Sequence, residues 1–527
     1  MTGVQDNDEL LLARIGYRQE LQREFSKWST ISYAISILGI LGSVPATFGA
    51  PLAAGGPATA VWCWFVGSCM ALCIGSSVAE LVSAYPTAGG MYFVTKHVVP
   101  EEYVPIFSWI QGWCNLLGQT AGVASVVYTV SQMLLAGASM NSALVDGKYS
   151  YSPSASETVL LAVVLLCLLG VVCSMTTRSL HRIIAWFAPI NTKPNDIVTA
   201  TVCICVTLLW YTPNKQPAVW VFTHFTDGSG WGSKVFSFLL GFISVAWVLT
   251  DYDGTTHMSE ETHDAAALGP IAIQTAVLLS GALGWLLTIC LCFCLTDYEG
   301  ILNTPTGLPA AQIFLNAGGP VGGSIMWGFA ILVQLFTGCS AMLADTRMVY
   351  AFARDEALPF SSFLSRINPR TQTPLNAVWF VVLFSISLTC IAIGSTQTAT
   401  AIFSITAPAL DLSYVSVILA HQIYRHRIQF VQGPFTLGKW GPHINWVSIV
   451  WVTFISTVLF FPPHVPVTLE NMNYAIFVGA FIAAFALVWW WAAARGRYTG
   501  PRINEQFEPV ATDEDYGTFR ETGSNAI

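Results

Sequence analysis

Long apolar segments alternate with short polar segments along most of the chain. Most apolar segments contain about 20 residues or more, the number that a helix needs to cross the roughly 30 Å hydrocarbon layer of a membrane. A membrane-spanning strand needs only about ten residues and alternates in polarity, which these segments do not. They predict twelve transmembrane helices, at residues 31–50, 58–82, 104–136, 158–177, 197–212, 235–250, 268–296, 321–344, 375–394, 399–420, 445–461 and 474–494.

Basic residues fall almost entirely on one side of this arrangement. With the N-terminus inside, 19 of the 22 Lys and Arg residues lie on the inner face, and only Lys148, Lys215 and Lys234 lie outside. Cytoplasmic loops of membrane proteins are rich in Lys and Arg. We therefore expect a cytoplasmic tail at 1–28, a twelve-helix domain at 29–494 and an acidic cytoplasmic tail at 495–527.

The composition agrees with an integral, multi-pass membrane protein, because 54% of the residues are apolar and only 10% are charged. All 13 cysteines lie in apolar segments, so the chain offers no extracellular disulfide framework. We find no intact nucleotide loop, no paired His-rich cluster and no Ser/His/Asp arrangement at a shared depth. We therefore expect no enzymatic activity, no metal, no cofactor and no nucleic-acid partner.

Two of the twelve segments contain residues that interrupt a helix. In the first, the stretch 36–45 holds two glycines, two serines and a proline. In the sixth, the apolar residues end at Leu249, a polar stretch follows from Thr250, and a short polar helix is expected through Glu260 and Glu261. Breaks at membrane depth are tolerated where they are buried in protein or line a wet cavity. These two breaks therefore predict a buried site.

The two interrupted helices are five apart in the chain. This spacing is expected if helices 1–5 and 6–10 are inverted repeats, at about 29–212 and 234–421, with extra helices at 445–494. Free N–H groups at the start of a half-helix would hold a carboxylate, and free carbonyls at the end of one would hold an ammonium. Two alternatives stay open: Gly39 and Gly42 would also allow close helix packing, and 251–254 would also fit the end of a short helix.

Four motifs stand out along the chain: ELVSAYPTAGGMY at 80–92, TDYDGTTHMSEE at 250–261, RMVYAFARD at 347–355 followed by Leu358 and Pro359, and GYRQE at 16–20. They resemble the motifs of fungal amino acid permeases of the GABA and choline transporter branch, within the amino acid, polyamine and organocation superfamily. The resemblance implies a five-plus-five inverted-repeat fold and proton-coupled secondary transport by alternating access. It also favours the plasma membrane over the vacuole.

The resemblance implies that solute is held between the two broken helices. The residues carried over as solute contacts are Gly39, Ile40, Leu41, Gly42 and Ser43 in the first helix and Thr250, Asp251, Tyr252 and Asp253 in the sixth. Two positions depart from the family pattern. Asp251 stands where the family usually has Gly. In the family the fifth segment usually begins with residues that favour a helix, and this chain has residues 191–196 at that place.

Ionisable residues inside a membrane are costly and suggest a pathway or a relay. Asp411, in the tenth segment, is a candidate for coupling, although a protonated carboxyl hydrogen-bonded to a neighbouring helix would explain it equally well. Asp251 is a candidate for contact with substrate or proton. The candidates for an inner gate are two acids, Glu260 and Glu261, and two bases, Arg347 and Arg354; a solvated loop is the alternative.

These features favour a secondary transporter over a nutrient receptor that keeps the same fold. Asp251 and Asp411 have no obvious Lys or Arg partner within the membrane, which favours a solute with an amine or a quaternary ammonium group. An amino acid or GABA is the first expectation, and choline or a polyamine is the second. The other expected partners are protons and the lipid bilayer.

Overall fold

The computed structural model describes residues 23, 25–145, 148–176, 179, 194–393, 404–468 and 471–502. Within this part the regular secondary structure is helical, apart from an isolated bridge between Phe25 and Thr262 and a short antiparallel hairpin formed by β1 (Leu144–Val145) and β2 (Lys148–Tyr149). The described residues do not include most of the two predicted tails, the motif at 16–20, residues 191–193 before the fifth segment or 399–403 at the start of the tenth.

The first half of the chain forms the helices up to the fifth apolar segment and a short helix after it. They are α1 (Lys27–Leu38), α2 (Ile40–Thr47), α3 (Gly49–Gly55), α4 (Pro57–Ala84), α5 (Met91–Val98), α6 (Val104–Met140), α7 (Ala155–Cys173), α8 (Pro194–Tyr211) and α9 (Ala218–Thr223). We call α1 and α2 together helix 1. Pro194 lies at the first position of α8, where a proline costs no helical hydrogen bond.

The second half contains the sixth to twelfth apolar segments. Its helices are α10 (Lys234–Leu240), α11 (Phe242–Val248), α12 (Gly254–His257), α13 (Ala265–Phe293), α14 (Tyr298–Leu302), α15 (Pro309–Arg354), α16 (Ser361–Leu364), α17 (Leu375–Ile391), α18 (Thr406–Tyr424), α19 (Gly441–Leu459) and α20 (Ala475–Trp489). We call α10, α11 and α12 together helix 6. A 3₁₀ turn, Ser259–Glu261, follows α12.

Eight helical stretches of the described chain are long and apolar enough to cross a membrane. Three shorter apolar helices, at 197–211, 234–248 and 375–391, accompany them. α15 is the longest helix, with 46 residues, and it is interrupted near one end by Gly319, whose backbone is not helical, followed by Pro320. The remainder of α15 runs through the interior, where its residues from Phe336 to Ala353 are all buried.

Helix 1 lies at the centre of the bundle. Every residue of α1 from Thr30 onward is buried, and α1 and α2 pack against α15 on one side and α13 on another. Small residues permit close contact between membrane helices. α6 packs against α15 and α18 in the same way, at Gly112 beside Phe352 and at Gly118 beside Leu410. Helix 1, helix 6, α6, α15 and α18 therefore surround the predicted site.

Candidate functional site

Helix 1 is interrupted at Gly39. This residue adopts the left-handed conformation, with φ 46° and ψ 49°, between the last residue of α1 and the first of α2. Among the described residues, no carbonyl or side chain accepts a hydrogen bond from the N–H groups of Ile40 and Leu41. The hydroxyl of Thr337 donates to the carbonyl of Ser36, at 2.9 Å. The break thus leaves two N–H groups free at the start of α2.

The two glycines of helix 1 lie against α15. A methyl group on Gly39 would lie 1.7 Å from Oγ1 of Thr337, and one on Gly42 would lie 2.6 Å from Oε1 of Gln334. The same Gln334 oxygen accepts a hydrogen bond from Ser43, at 2.9 Å. Gly42 therefore serves close packing between helix 1 and α15, as the alternative for the two glycines proposed. Gly39 combines such packing with the left-handed backbone that interrupts the helix.

Helix 6 is interrupted between Val248 and Gly254. Asp251 has φ 61°, a left-handed conformation that glycine adopts freely and that Asp tolerates better than most residues. Gln119 of α6 donates a hydrogen bond from Nε2 to Asp251 Oδ1, at 2.5 Å. Asp251 is only partly buried, whereas its neighbours 252–262 are all buried. The carboxyl is therefore held in a fixed position and is still accessible.

Backbone carbonyls are also free at this break. No N–H group or hydroxyl of the described residues donates to the carbonyl oxygens of Ala246, Trp247 or Val248 at the end of α11. The hydroxyl groups of Thr250 and Tyr252 are buried and have no hydrogen-bond partner in the part of the chain that the structure describes. The end of α11 therefore offers acceptors for a cation or an ammonium group.

The two broken helices touch each other on both sides of the breaks. The hydroxyls of Thr47 and Ser244 lie 2.7 Å apart and join α2 to α11. A methyl group on Gly254 would lie 2.3 Å from Cδ1 of Ile37, so α12 packs closely on α1. The free N–H groups of helix 1 and the free carbonyls of helix 6 consequently belong to one region.

Asp253 is fully buried and surrounded by donors that the sequence analysis did not single out. The hydroxyl of Tyr414, on α18, donates to its Oδ1. Nδ2 of Asn115, on α6, lies 3.4 Å from its Oδ2, and Nε2 of His257 lies 3.5 Å from the same oxygen. The side chain of Asp253 is thus enclosed by protein groups, unlike that of Asp251.

Asp345 is a second fully buried acid that the sequence analysis missed. Its Oδ2 accepts a hydrogen bond from Thr120 of α6, at 3.0 Å, and no described residue donates to its Oδ1. Within the described chain, no Lys or Arg forms an ion pair with Asp345, Asp251 or Asp253. The site is therefore rich in acidic groups.

The missed residues were visible in part as a pattern. Gln111, Asn115 and Gln119 recur every four residues in a mostly apolar segment, which puts them on one face of a helix. Asp345 stands one residue beyond the predicted eighth segment, and His257 stands within the 250–261 motif. A search for polar residues at helical spacing within apolar segments would have found the α6 face.

The predicted gate acids are buried and take different partners. Glu261 accepts from Nε of Arg347, at 2.9 Å, with both side chains fully buried. Glu260 accepts from the N–H of Ala88, at 3.1 Å, and the N–H of Phe25 donates to the carbonyl of Glu261. The solvated-loop alternative for these acids is therefore wrong.

Arg354 lies two turns beyond Arg347 on α15. Its guanidinium is 5.5 Å from the centre of the Tyr350 ring.

Asp411 lies on α18, at a cleft beside helix 6. The cleft encloses about 330 Å³, including space open to the surface, and apolar residues from α4, α11 and α19 line most of it. Asp411 is 7% exposed and makes no hydrogen bond or ion pair with the described residues. The alternative explanation for Asp411 was a protonated carboxyl that is hydrogen-bonded to a neighbouring helix. No such hydrogen-bond partner is present in this part of the chain.

Comparison with known proteins gives a consistent family. Residues 25–482 match a family described as amino acid permease. A Schizosaccharomyces pombe protein named as an uncharacterised amino-acid permease is 41% identical over 96% of this chain and 91% of its own length. Amino-acid permease 2 of Neurospora crassa is 35% identical over 97% and 92%, and the GABA-specific permease of Saccharomyces cerevisiae is 30% identical over 97% and 87%. The family predicted from the motifs is thus confirmed.

Proposed function

The chain belongs to the amino acid permease family, and from this premise we propose that it is a secondary active transporter that moves an amino acid or a related amine, coupled to protons, by alternating access. Its family and the eight long apolar helices of the described residues support a multi-pass membrane protein, and we propose a transporter rather than an enzyme. The names of the relatives support amino acid transport.

One observation carries the proposal: the two broken helices meet with complementary free backbone groups. The N–H groups of Ile40 and Leu41 suit a carboxylate, and the carbonyls at the end of α11 suit an ammonium. An amino acid carries both groups. The predicted contacts at 39–43 and 250–253 belong to this region, and we propose that they form the solute site.

We propose that the solute carries an amine. Asp251 is accessible and has no basic partner in the described chain, so a positively charged group would compensate its charge. The relative named as a GABA-specific permease supports an amino acid or GABA as the first candidate. Choline or a polyamine is the second candidate, since each presents a cation to the same carboxyl.

The global arrangement belongs to the same proposal. We infer twelve membrane crossings, with inverted repeats at about 29–212 and 234–421 and extra helices at 445–494. Both tails are inferred to be cytoplasmic, from the 19 to 3 division of basic residues. The plasma membrane is the proposed location.

The buried pair of Arg347 and Glu261 is the proposed inner gate. It joins α15 to the end of helix 6, and the segment before α1 adds hydrogen bonds from Phe25 to the same end. Opening toward the cytoplasm would have to separate these contacts. Arg354 is proposed as a second member of the gate, and Asp411, with its unpaired carboxyl, as a coupling residue.

Flux measurements test the function. Membrane vesicles that contain the protein are supplied with labelled amino acids, GABA, choline and polyamines in turn, with vesicles lacking it as the control. We expect an amino acid or GABA to accumulate. If the protein reaches the membrane and none of these solutes crosses, the chain acts as a receptor rather than a transporter.

A separate experiment tests the orientation. Tags after Met1 and before Ile527 should be shielded from external protease in intact cells, and a tag in the loop that contains Lys215 should be cut. Digestion of either terminal tag would overturn the proposed topology.

A further inference from the structure

His257 is a buried histidine whose two ring nitrogens face different groups. It ends α12, one turn after Asp253, and is 1% exposed. Nδ1 lies 2.8 Å from the carbonyl oxygen of Ala88. A carbonyl only accepts hydrogen bonds, so Nδ1 must carry the hydrogen. The contact with Ala88 therefore fixes which nitrogen is protonated in the neutral ring.

The other nitrogen, Nε2, then has a free lone pair in the neutral ring. It has no hydrogen-bond partner among the described residues, and it faces Oδ2 of Asp253 at 3.5 Å. A lone pair that faces a carboxylate oxygen is repelled by it, and one proton between the two atoms turns this repulsion into attraction. The geometry is therefore that of a proton-binding pair.

The surroundings of Asp253 determine where that proton resides. The hydroxyl of Tyr414 and the amide of Asn115 both point hydrogen-bond donors at this carboxyl. Donors of this kind favour the ionised carboxylate. The proton is consequently held on Nε2 of His257, and the occupied state is an imidazolium beside a carboxylate.

Most of the charged groups around the pair are acidic. The other ionisable groups on the segments around it are Asp251, Tyr252 and Glu260 on the same segment, Asp345 and Arg347 on α15, Asp411 and Tyr414 on α18, and Tyr33 on α1. The polar residues of α6 that contact these acids are the neutral Asn115, Gln119 and Thr120. Arg347 already pairs with Glu261. Without a proton, the pair would add a further negative charge to this acidic region.

We propose that the pair of His257 and Asp253 binds the proton that drives transport, an inference that rests on the function proposed above. Loading forms an N–H bond at Nε2, as a hydronium ion gives up a proton and becomes water, and unloading reverses this on the other side of the membrane. No oxidation or reduction occurs. The pair changes between a net charge of zero and minus one.

The same histidine connects the proton to the inner end of helix 6. The carbonyl of Ala88 accepts from His257, and the N–H of Ala88 donates to Glu260. An imidazolium is a stronger donor than a neutral imidazole, because charge-assisted hydrogen bonds are stronger. The bound proton therefore strengthens the attachment of helix 6 to the loop after α4, and its release weakens it.

The test uses the full-length protein in liposomes that contain a pH-sensitive dye. A labelled mixture of the twenty amino acids and GABA is the probe. Uptake driven by a pH gradient, dye-reported proton entry and solute exchange at equal pH are each measured. We expect His257→Gln to reduce proton entry and gradient-driven uptake by about tenfold, while solute exchange at equal pH continues. A tenfold loss is within the usual range by which one bound ligand changes the binding of another. Asp253→Asn should also lose the dependence of uptake on the gradient.

His263→Gln is the matched control, because His263 lies six residues further along in a less buried position and should behave as wild type. The proposal is overturned if His257→Gln moves as many protons per solute as wild type, or if it loses exchange together with uptake, which would make the residue structural. Wild-type exchange without proton entry would refute proton coupling alone. A wild-type protein that moves no solute in any assay would refute the transport function itself.

Discussion

The two broken helices have the same backbone feature but differ in the residue that adopts it. Gly39 in helix 1 has φ 46°, and Asp251 in helix 6 has φ 61°. Around the break in helix 1 the partners on α15 are neutral: Thr337 beside Gly39 and Gln334 beside Gly42. Around Asp251 the neighbours are acidic or polar. The comparison suggests that the break in helix 1 determines the shape of the site and that the break in helix 6 determines its charge.

The difference follows from what each side chain allows. Gly39 has no side chain, so α15 approaches to a distance that any Cβ would prevent. Asp251 bears the strain of the left-handed conformation, about 1–2 kcal/mol, and its carboxyl is fixed by Gln119. An amino acid would thus meet bare N–H groups on one helix and a carboxyl on the other.

The largest effect is expected from breaking the buried ion pair between Arg347 and Glu261. Arg347→Gln leaves Glu261 buried without its partner, and breaking a buried pair in this way costs about 3–5 kcal/mol. The unfolding temperature of the purified protein should fall clearly. The exposed Arg366→Gln is the control. Equal unfolding temperatures for the two variants would mean that the pair does not hold helix 6 to α15.

The next largest effect concerns the shape of helix 1. In Gly39→Ala the new methyl group meets Thr337, and the left-handed backbone adds about 1–2 kcal/mol while overpacking adds roughly 1–3 kcal/mol. Uptake should be lost although the protein reaches the membrane, and adding Thr337→Ala should restore part of it. Gly328→Ala on α15, with open space around it, is the control. Normal uptake by Gly39→Ala would mean that the break in helix 1 does not determine the shape of the site.

The sequence predicted both breaks because their signals are local. Glycine, serine and proline within 36–45, and the change from apolar to polar residues at Thr250, are visible without any neighbour. The packing face of Gly42 was not predictable, because it depends on α15, which lies almost 300 residues away in the chain.

The partners of the charged residues were only partly predictable. Charge alone indicated that Arg347 would meet one of the acids at 260 and 261. The turn after α12 decides the outcome: it directs Glu261 to α15 and Glu260 to Ala88. Asp345 was missed because it stands one residue beyond the predicted eighth segment. The polar face of α6 was visible in the spacing of its residues, but the groups that they contact were not.

A smaller effect is expected from removing the accessible charge of helix 6. Asp251→Asn keeps the shape, and a charge pair at 4 Å is worth roughly 4 kcal/mol at a dielectric of about 20 before desolvation. Desolvation offsets much of this, so we expect affinity for an amine solute to fall by about tenfold, or about 1.4 kcal/mol. Uptake kinetics measure it, with the exposed Glu299→Gln as the control.

Asp251→Gly tests the same point, since it places a glycine at the left-handed position of both breaks. It should lose the preference for amines to the same extent and relieve the backbone strain. If Asp251→Asn transports with unchanged affinity and pH dependence, Asp251 only ends a helix, and the argument for a cation moves to Asp411.

The smallest effect compares one threonine at each break. Thr337→Val removes the hydroxyl that donates to the carbonyl of Ser36, and Thr256→Val removes one that donates to the carbonyl of Asp253. The carbonyl of Asp253 keeps a second donor, the N–H of Thr256, whereas no other donor in the described chain reaches that of Ser36. Thr337→Val should therefore cost about 1 kcal/mol and Thr256→Val less, with Thr337→Ser close to wild type. Thermal unfolding and uptake measure both. The opposite order would mean that the backbone of helix 6, rather than that of helix 1, depends on its threonine. The view that helix 1 determines the shape of the site and helix 6 its charge would then be wrong.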